Sequence, residues 1–240
     1  IRSAEAMLAE VRERGYASPN MMGYFPRLAL RAARDAEARA AGGAIAGLLC
    51  KLDRHHGPWQ QLDQHGLGLG RKFAPAVMVD EEGAQVLTRE GINVIVPGPA
   101  GKPRLTGSTT MARGSEPQRP LASLAVRRLC LRIVNSIDRA TRWAVFEPVD
   151  ETLAQRIRSQ VFAFLSAYVD MGAFDSDRID VQCDAGLRSR PAGAGHGISI
   201  LISFQPRGCS VPISLTLHQS ARGFHVASTA FAPVHGDSAA

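Results

Sequence analysis

Three groups of residues have types and spacings that could do chemistry. They are the adjacent His55 and His56, a glycine run over residues 66–70, and the arginines Arg127, Arg128, Arg132, Arg139 and Arg142. Sequence neighbours point in different directions, and no third ligand stands at a useful spacing from the two histidines, so they read as a solvated helix end rather than a metal site. The glycine run lacks the Lys-Ser/Thr of a phosphate loop and follows no strong strand, which makes it a surface loop. Ser, His and Asp are plentiful, yet there is no G-x-S-x-G, no H-E-x-x-H and no nucleophile in a strained turn, so a hydrolase is not expected. Cys50, Cys130, Cys183 and Cys209 are far apart with no C-x-x-C, as buried or incidental free thiols would be. No catalytic, cofactor-binding or metal-ligating residue emerges.

The arginines remain. On a helix turning 100° per residue they fall within an arc of about 140°, opposite Ile133 and Ile137. Residues 88–142 hold ten Lys or Arg against three Asp or Glu, whereas residues 143–184 hold three against eight. A nucleic-acid module is disfavoured because aromatics are scarce around the arginine face and the acidic block follows directly. Basic and acidic blocks on one chain can instead pair between copies, so the face is expected to meet another protein surface.

The elements that must position these residues can be read from periodicity. Val126, Leu129, Cys130, Ile133, Val134 and Ile137 recur at three- and four-residue steps, predicting a helix over 120–141. Before it, Ile92-Asn-Val-Ile-Val96 is a β-branched run closed by Pro97-Gly98-Pro99, a buried strand. After it, Trp143 to Phe146 reads as a strand stopped by Pro148, with both aromatics in the core. Asp150 then suits a helix N-terminus, and Leu153, Ile157, Val161, Phe164, Leu165 and Tyr168 stripe a helix that ends at Gly172. Residues 198–204 and 211–217 alternate apolar with polar residues, as half-buried strands do, and Pro212 suggests that Val211, Ile213, Leu215 and Leu217 lie on a sheet edge. Upstream, residues 3–14 predict a helix with Met7, Leu8 and Val11 inward, 24–30 an edge strand, 31–41 a helical or floppy insert, 43–52 a helix, 77–79 a short strand and 81–89 a turn or helix. Residues 97–120 read as an irregular excursion, and 223–230 as a weak strand in the tail. The class is α+β, with small mixed sheets packed by helices.

Taken together, these residues resemble a known family. Gly91-Ile-Asn-Val-Ile95, a basic residue before Gly107, Val126-Arg-Arg-Leu129 and Trp143-x-Val-Phe-Glu-Pro-x-Asp150 are similar to the C-terminal domain of contractile tail sheath proteins, found in phages, tailocins and related injection particles. The likeness continues through Val161-x-x-Phe-Leu165, Gly172-Ala173-Phe174 and Val181-x-Cys183-Asp184. Upstream it includes Gly43-Ala-Ile-Ala-Gly47, Asp53, Gly57 and Trp59, so that about 24–217 is covered. The resemblance implies a structural subunit, not an enzyme, without cofactor. It implies stacked hexameric rings around an inner tube protein, contraction that drives the tube through an envelope, and baseplate and terminator proteins as further partners. A shortened cap or baseplate-associated paralogue is the alternative. It also implies strand exchange between neighbours, here assigned to Val211, Ile213, Leu215 and Leu217, and assembly in the bacterial cytoplasm, which suits free thiols. The expected division is 1–88 as the end of an upstream subtilisin-like domain, 89–218 as the sheath C-terminal domain and 219–240 as an extension, flexible or not. The chain opens Ile1-Arg-Ser-Ala-Glu without an initiator Met, which reads as a fragment or processed product, and no run of about 18 apolar residues predicts a membrane span.

Overall fold

A computed structural model describes residues 3–32, 37–62, 68–112, 120–184, 197–220 and 223–230. The fold is α+β. It forms two compact units, Ile1–Arg128 and Leu129–Ala240, rather than dividing at the expected 88/89. The reason lies in strand pairing: β4 (Ile92–Val96) runs parallel to β1 (Gly23–Phe25) and so belongs to the upstream unit.

In the first unit, α1 (Ala4–Glu13) is capped by Ser3, whose hydroxyl accepts from the Ala6 N–H. Strand β1 and β2 (Leu28–Leu30) follow, then α2 (Gly42–His55), β3 (Phe73–Pro75), α3 (Glu81–Arg89), β4 and β5 (Arg104–Thr106). One sheet has the order β1-β4-β5, and β2 pairs with β3 separately. The near-continuous apolar run in β4 is explained by burial on both faces. Ile92 and Val94 join Leu8, Val11 and Leu87 of α1 and α3, while Ile95 joins Ile45, Leu49 and Leu52 of α2. Gly91 opens the strand at φ +80, and a Cβ there would stand 2.8 Å from the Thr110 carbonyl oxygen, so only glycine fits. The one polar residue of the run, Asn93, is fully buried and knits the sheet to the following loop. Its Nδ2 donates to the carbonyls of Gly23 and Thr109, and its Oδ1 accepts from the Thr109 N–H.

Several upstream expectations are corrected. The short strand is Phe73–Pro75, not 77–79. The stretch 97–120 contains β5, which makes an antiparallel hairpin with β4. Of 31–41, residues 33–36 lie outside the described residues, and Arg39 forms an isolated bridge with Leu28 rather than a helix. Of the glycine run, residues 66 and 67 likewise lie outside them, and 68–70 form no helix or strand, as expected of a loop.

The second unit contains most of α4 (Leu124–Thr141), α5 (Glu151–Asp170) and four antiparallel strands: β6 (Asp180–Asp184), β7 (Gly197–Phe204), β8 (Ile213–Ser220) and β9 (Gly223–Ala230). The sheet order is β6-β7-β8-β9. Pairing Ile200 with Leu217 and Ile202 with Leu215 gathers the apolar side chains of both central strands on one face. The buried stripe of α5 runs Leu153, Ile157, Val161, Leu165, Tyr168, and Tyr168, Phe174 and Phe204 form a chain of ring contacts. The Asp150 carboxylate caps α5 by accepting from the Leu153 N–H at 2.8 Å. No described helix is long and apolar enough to cross a membrane.

Two core expectations fail here. Residues Arg142–Phe146 are a 3-10 turn, not a strand, and Ala144 is the buried member. With no Gly or Pro between Thr141 and Phe146, the helix tightens instead of breaking, and the three-residue period aligns Trp143 with Phe146 away from Ala144. Trp143 is half-buried under the Arg156 guanidinium, 4.2 Å from its ring, and Phe146 is 91% exposed. The core sheet expected from Ile92, Val145, Ile200 and Ile213 is therefore two separate sheets, and Val145 is in neither. Ile133 and Ile137 are fully buried. The boundary at 218 also moves, because β8 runs to Ser220 and β9 completes the sheet; residues 231–240 lie outside the described residues.

Candidate assembly surfaces

Arg127, Arg128, Arg132 and Arg139 lie on α4 and Arg142 opens the 3-10 turn that follows it, and their environments differ. Within the first unit, Arg127 donates to the Asn20 side-chain oxygen through Nε at 3.0 Å and through its terminal nitrogen. Arg128 turns into the unit and forms an ion pair with Asp53, without hydrogen-bond geometry. Its side chain is only 13% exposed, against 45% for that of Asp53. Burial lowers the guanidinium's pKa, with Tyr24 and Cys50 acting in the opposite sense. Burial likewise pushes the Tyr24 phenol up to about 12, and Arg128 opposes the shift. Arg128 is a structural residue, and its place in the expected protein-facing surface is corrected.

Within the second unit, Arg142 is exposed and its guanidinium is held by Asp138, one turn earlier, at 2.6 and 3.2 Å, which raises its pKa. Arg132 and Arg139 are exposed and form no ion pair among the described residues. Among the described residues, Arg128 and Arg142 are therefore ion-paired, Arg127 keeps its charge but is tethered to the neutral amide of Asn20, and Arg132 and Arg139 are left as the two untethered cations.

The strand assigned to exchange is also re-placed. Ile213, Leu215 and Leu217 are buried in β8, an interior strand flanked on both sides, and Val211 precedes it. Pro212 stands just before the first ladder residue, so its missing N–H interrupts no pairing and marks no edge. The outermost strands of this sheet are β6 and β9.

Sequence periodicity overlooked the exposed apolar side chains. Phe162 on α5 is 49% exposed and Met78 is 72% exposed. Phe162 was legible in principle, being about 120° from the centre of the α5 core stripe on a helix turning 100° per residue. The two adjacent histidines have ring centroids 6.4 Å apart, and no group of three or more His, Cys, Asp or Glu among the described residues could hold a metal. Of the four cysteines, Cys130 and Cys209 are buried, Cys50 is exposed and Cys183 lies between.

No protein-family model matches the sequence, and no curated protein matches it. Solved structures do. The sheath of an extracellular contractile injection system, PVC, in its contracted state superposes with TM-score 0.69 at 20% identity, covering 82% of this chain and 55% of that one. The contracted helical sheath of the anti-feeding prophage gives 0.66 at 21%, covering 79% and 53%. A sheath tail protein from Desulfitobacterium hafniense gives 0.63 at 12%, covering 84% and 45%. The chain thus spans about half the length of the structures it matches, and it has the fold of contractile sheath proteins.

Proposed function

We propose that the chain is a structural subunit of a contractile sheath, polymerising as stacked hexameric rings around an inner tube and contracting to drive that tube through a cell envelope. The observation that carries this reading is the likeness of fold to the PVC sheath over 82% of the chain. It agrees with the motif string in the sequence, which draws on side-chain identity rather than on backbone geometry.

No catalytic group is needed for such a device. Subunits assembled in an extended lattice hold free energy that is released when stronger contacts form in a shorter, wider one. Small terms suffice, because a contact repeated around every ring and along the tube is multiplied. The exposed Arg132 and Arg139 are assigned to a surface that meets the inner tube or the acidic 143–184 surface of a neighbour. The outer edges of β6 and β9 are assigned to strand addition by neighbouring segments, because among the described residues no further strand pairs with them. Copies of the chain, the tube protein, and baseplate and terminator proteins are the partners, with assembly in the bacterial cytoplasm before incorporation into a tail or tail-like particle.

Electron microscopy of the purified protein tests the reading. Rings or tubes with six-fold symmetry are expected, and they should weaken as salt is raised, since the Debye length falls from about 10 Å at 0.1 M to about 3 Å at 1 M. A protein that stays monomeric at every concentration and salt level, alone and with its tube protein, would overturn it.

A further inference from the structure

We propose that the groove between α1 and α3 of one copy receives the exposed α5 face around Phe162 of a second copy. The groove measures about 870 Å³. Leu8, Val77, Met78, Val79 and Val86 supply its apolar lining, and its charged members, Glu5, Asp80 and Glu82, are all carboxylates. Met78 projects 72% exposed on this surface, and Val86 is also exposed. An occupant with an apolar centre and a flanking cation is what this lining accommodates.

Two exposed phenylalanines among the described residues are candidates, and charge separates them. Phe146 is the more exposed, but Glu147, Asp150 and Glu151 follow it closely, and they would face the groove carboxylates. Around Phe162, the residues three and four positions away on α5 are Arg158, Ser159, Leu165 and Ser166, so the one charge among these helix neighbours is positive. Leu165 is on the buried side, whereas Arg158, Ser159 and Phe162 are exposed. The face is thus a rigid aromatic with an arginine one turn before it, on a helix whose opposite stripe is locked into its own core. An aromatic anchor in an apolar groove with a basic rim meeting an acidic one is a common form of helix recognition.

Groove and face belong to the same chain but are different patches. Such a contact can be made head-to-tail, the kind that closes into rings or runs on as a helix, which is the form the sheath reading requires. The inference rests on the reading of the chain as a self-assembling subunit and supplies one specific contact for it.

Cross-linking between singly labelled chains tests it. In a Cys50→Ser, Cys183→Ser background, a Met78→Cys chain is mixed with a Phe162→Cys chain and oxidised. A disulfide-linked dimer of the two is expected, and it should form several-fold less when Leu131→Cys replaces Phe162→Cys. Arg158→Glu should weaken self-association by about tenfold, and adding Glu82→Arg should restore most of it. Circular dichroism establishes that each variant is folded. Wild-type rings without the cross-link and without charge-swap rescue would overturn this contact while leaving the sheath reading intact. The cross-link in a protein that makes no rings would keep the contact and remove the ring reading, and loss of both would remove both.

Discussion

Arg128 gives the sharpest test of how the arginine face divides. Its side chain is 13% exposed beside an Asp53 that is 45% exposed. Arg128→Met keeps most of the aliphatic stem and lets Asp53 rehydrate, so the cost should be about 1 kcal/mol, the lost packing plus a half-screened pair. Arg128→Glu instead places a second carboxylate next to Asp53. At an effective dielectric of about 20 and a separation of about 4 Å, two like charges repel by about 4 kcal/mol, which the exposure of Asp53 reduces to about 2–3. With the lost packing, the total is about 3–4 kcal/mol. Arg132→Glu, on the exposed part of the same helix, should change stability by no more than about 0.5 kcal/mol. Urea titration of a Trp143→Phe background, followed by Trp59 fluorescence, reports the first unit alone. If Arg128→Glu came within about 1 kcal/mol of Arg132→Glu, the buried ion pair would be refuted and the five-arginine surface restored. In assembly assays the order should reverse, with Arg132→Glu and Arg139→Glu lowering tube yield from stable monomers.

Asn93→Ala leaves two carbonyls and an N–H without their buried partner, and should cost about 3–4 kcal/mol in the same titration. Ile137→Ala should cost about 2–5 kcal/mol, whereas Phe146→Ala should stay within about 0.5, a contrast measurable by thermal melting. Asp150→Ala removes the cap of α5 and should cost about 0.5–2 kcal/mol, while Asp150→Asn should retain most of it. The raised Tyr24 pKa means that the folded state holds its proton more tightly than the unfolded state. Its contribution to stability is complete below pH 10 and is lost as pH rises through about 12; ultraviolet titration should show a tyrosinate step there that Tyr24→Phe abolishes.

Elements with strong local signals were legible. The α5 stripe, its Asp150 cap and its Gly172 stop are each decided within a few residues, and Gly172 adopts φ +72. The β7 and β8 alternation is equally local. The 143–146 stretch was not, because four apolar residues between a helix and a proline satisfy either a period of two or a period of three. What selects the 3-10 turn is continuity with α4, which composition does not encode. The pairing of β4 with β1 escaped for a different reason: the partner stands some 70 residues away, and a strand buried on both faces looks the same in any sheet.

The assembly surfaces were harder to read, and both errors have one origin. Helical angle says which way a side chain leaves its helix, and on that basis the five arginines read as one face. It does not say what stands there: more than 70 residues upstream, Asn20 tethers Arg127 and Asp53 pairs with Arg128. In the same way, Pro212 says that one N–H is missing but not whether a ladder needed it. An edge is a property of the sheet: β8 becomes interior only because β9, a weak strand by its own composition, pairs with it from Gly223 to Ala230. A surface that joins copies is defined by what the rest of the chain leaves uncovered. Locating it therefore requires the tertiary partners first, and Arg132, Arg139, Phe162 and the outer edges of β6 and β9 are what the contacts among the described residues leave uncovered.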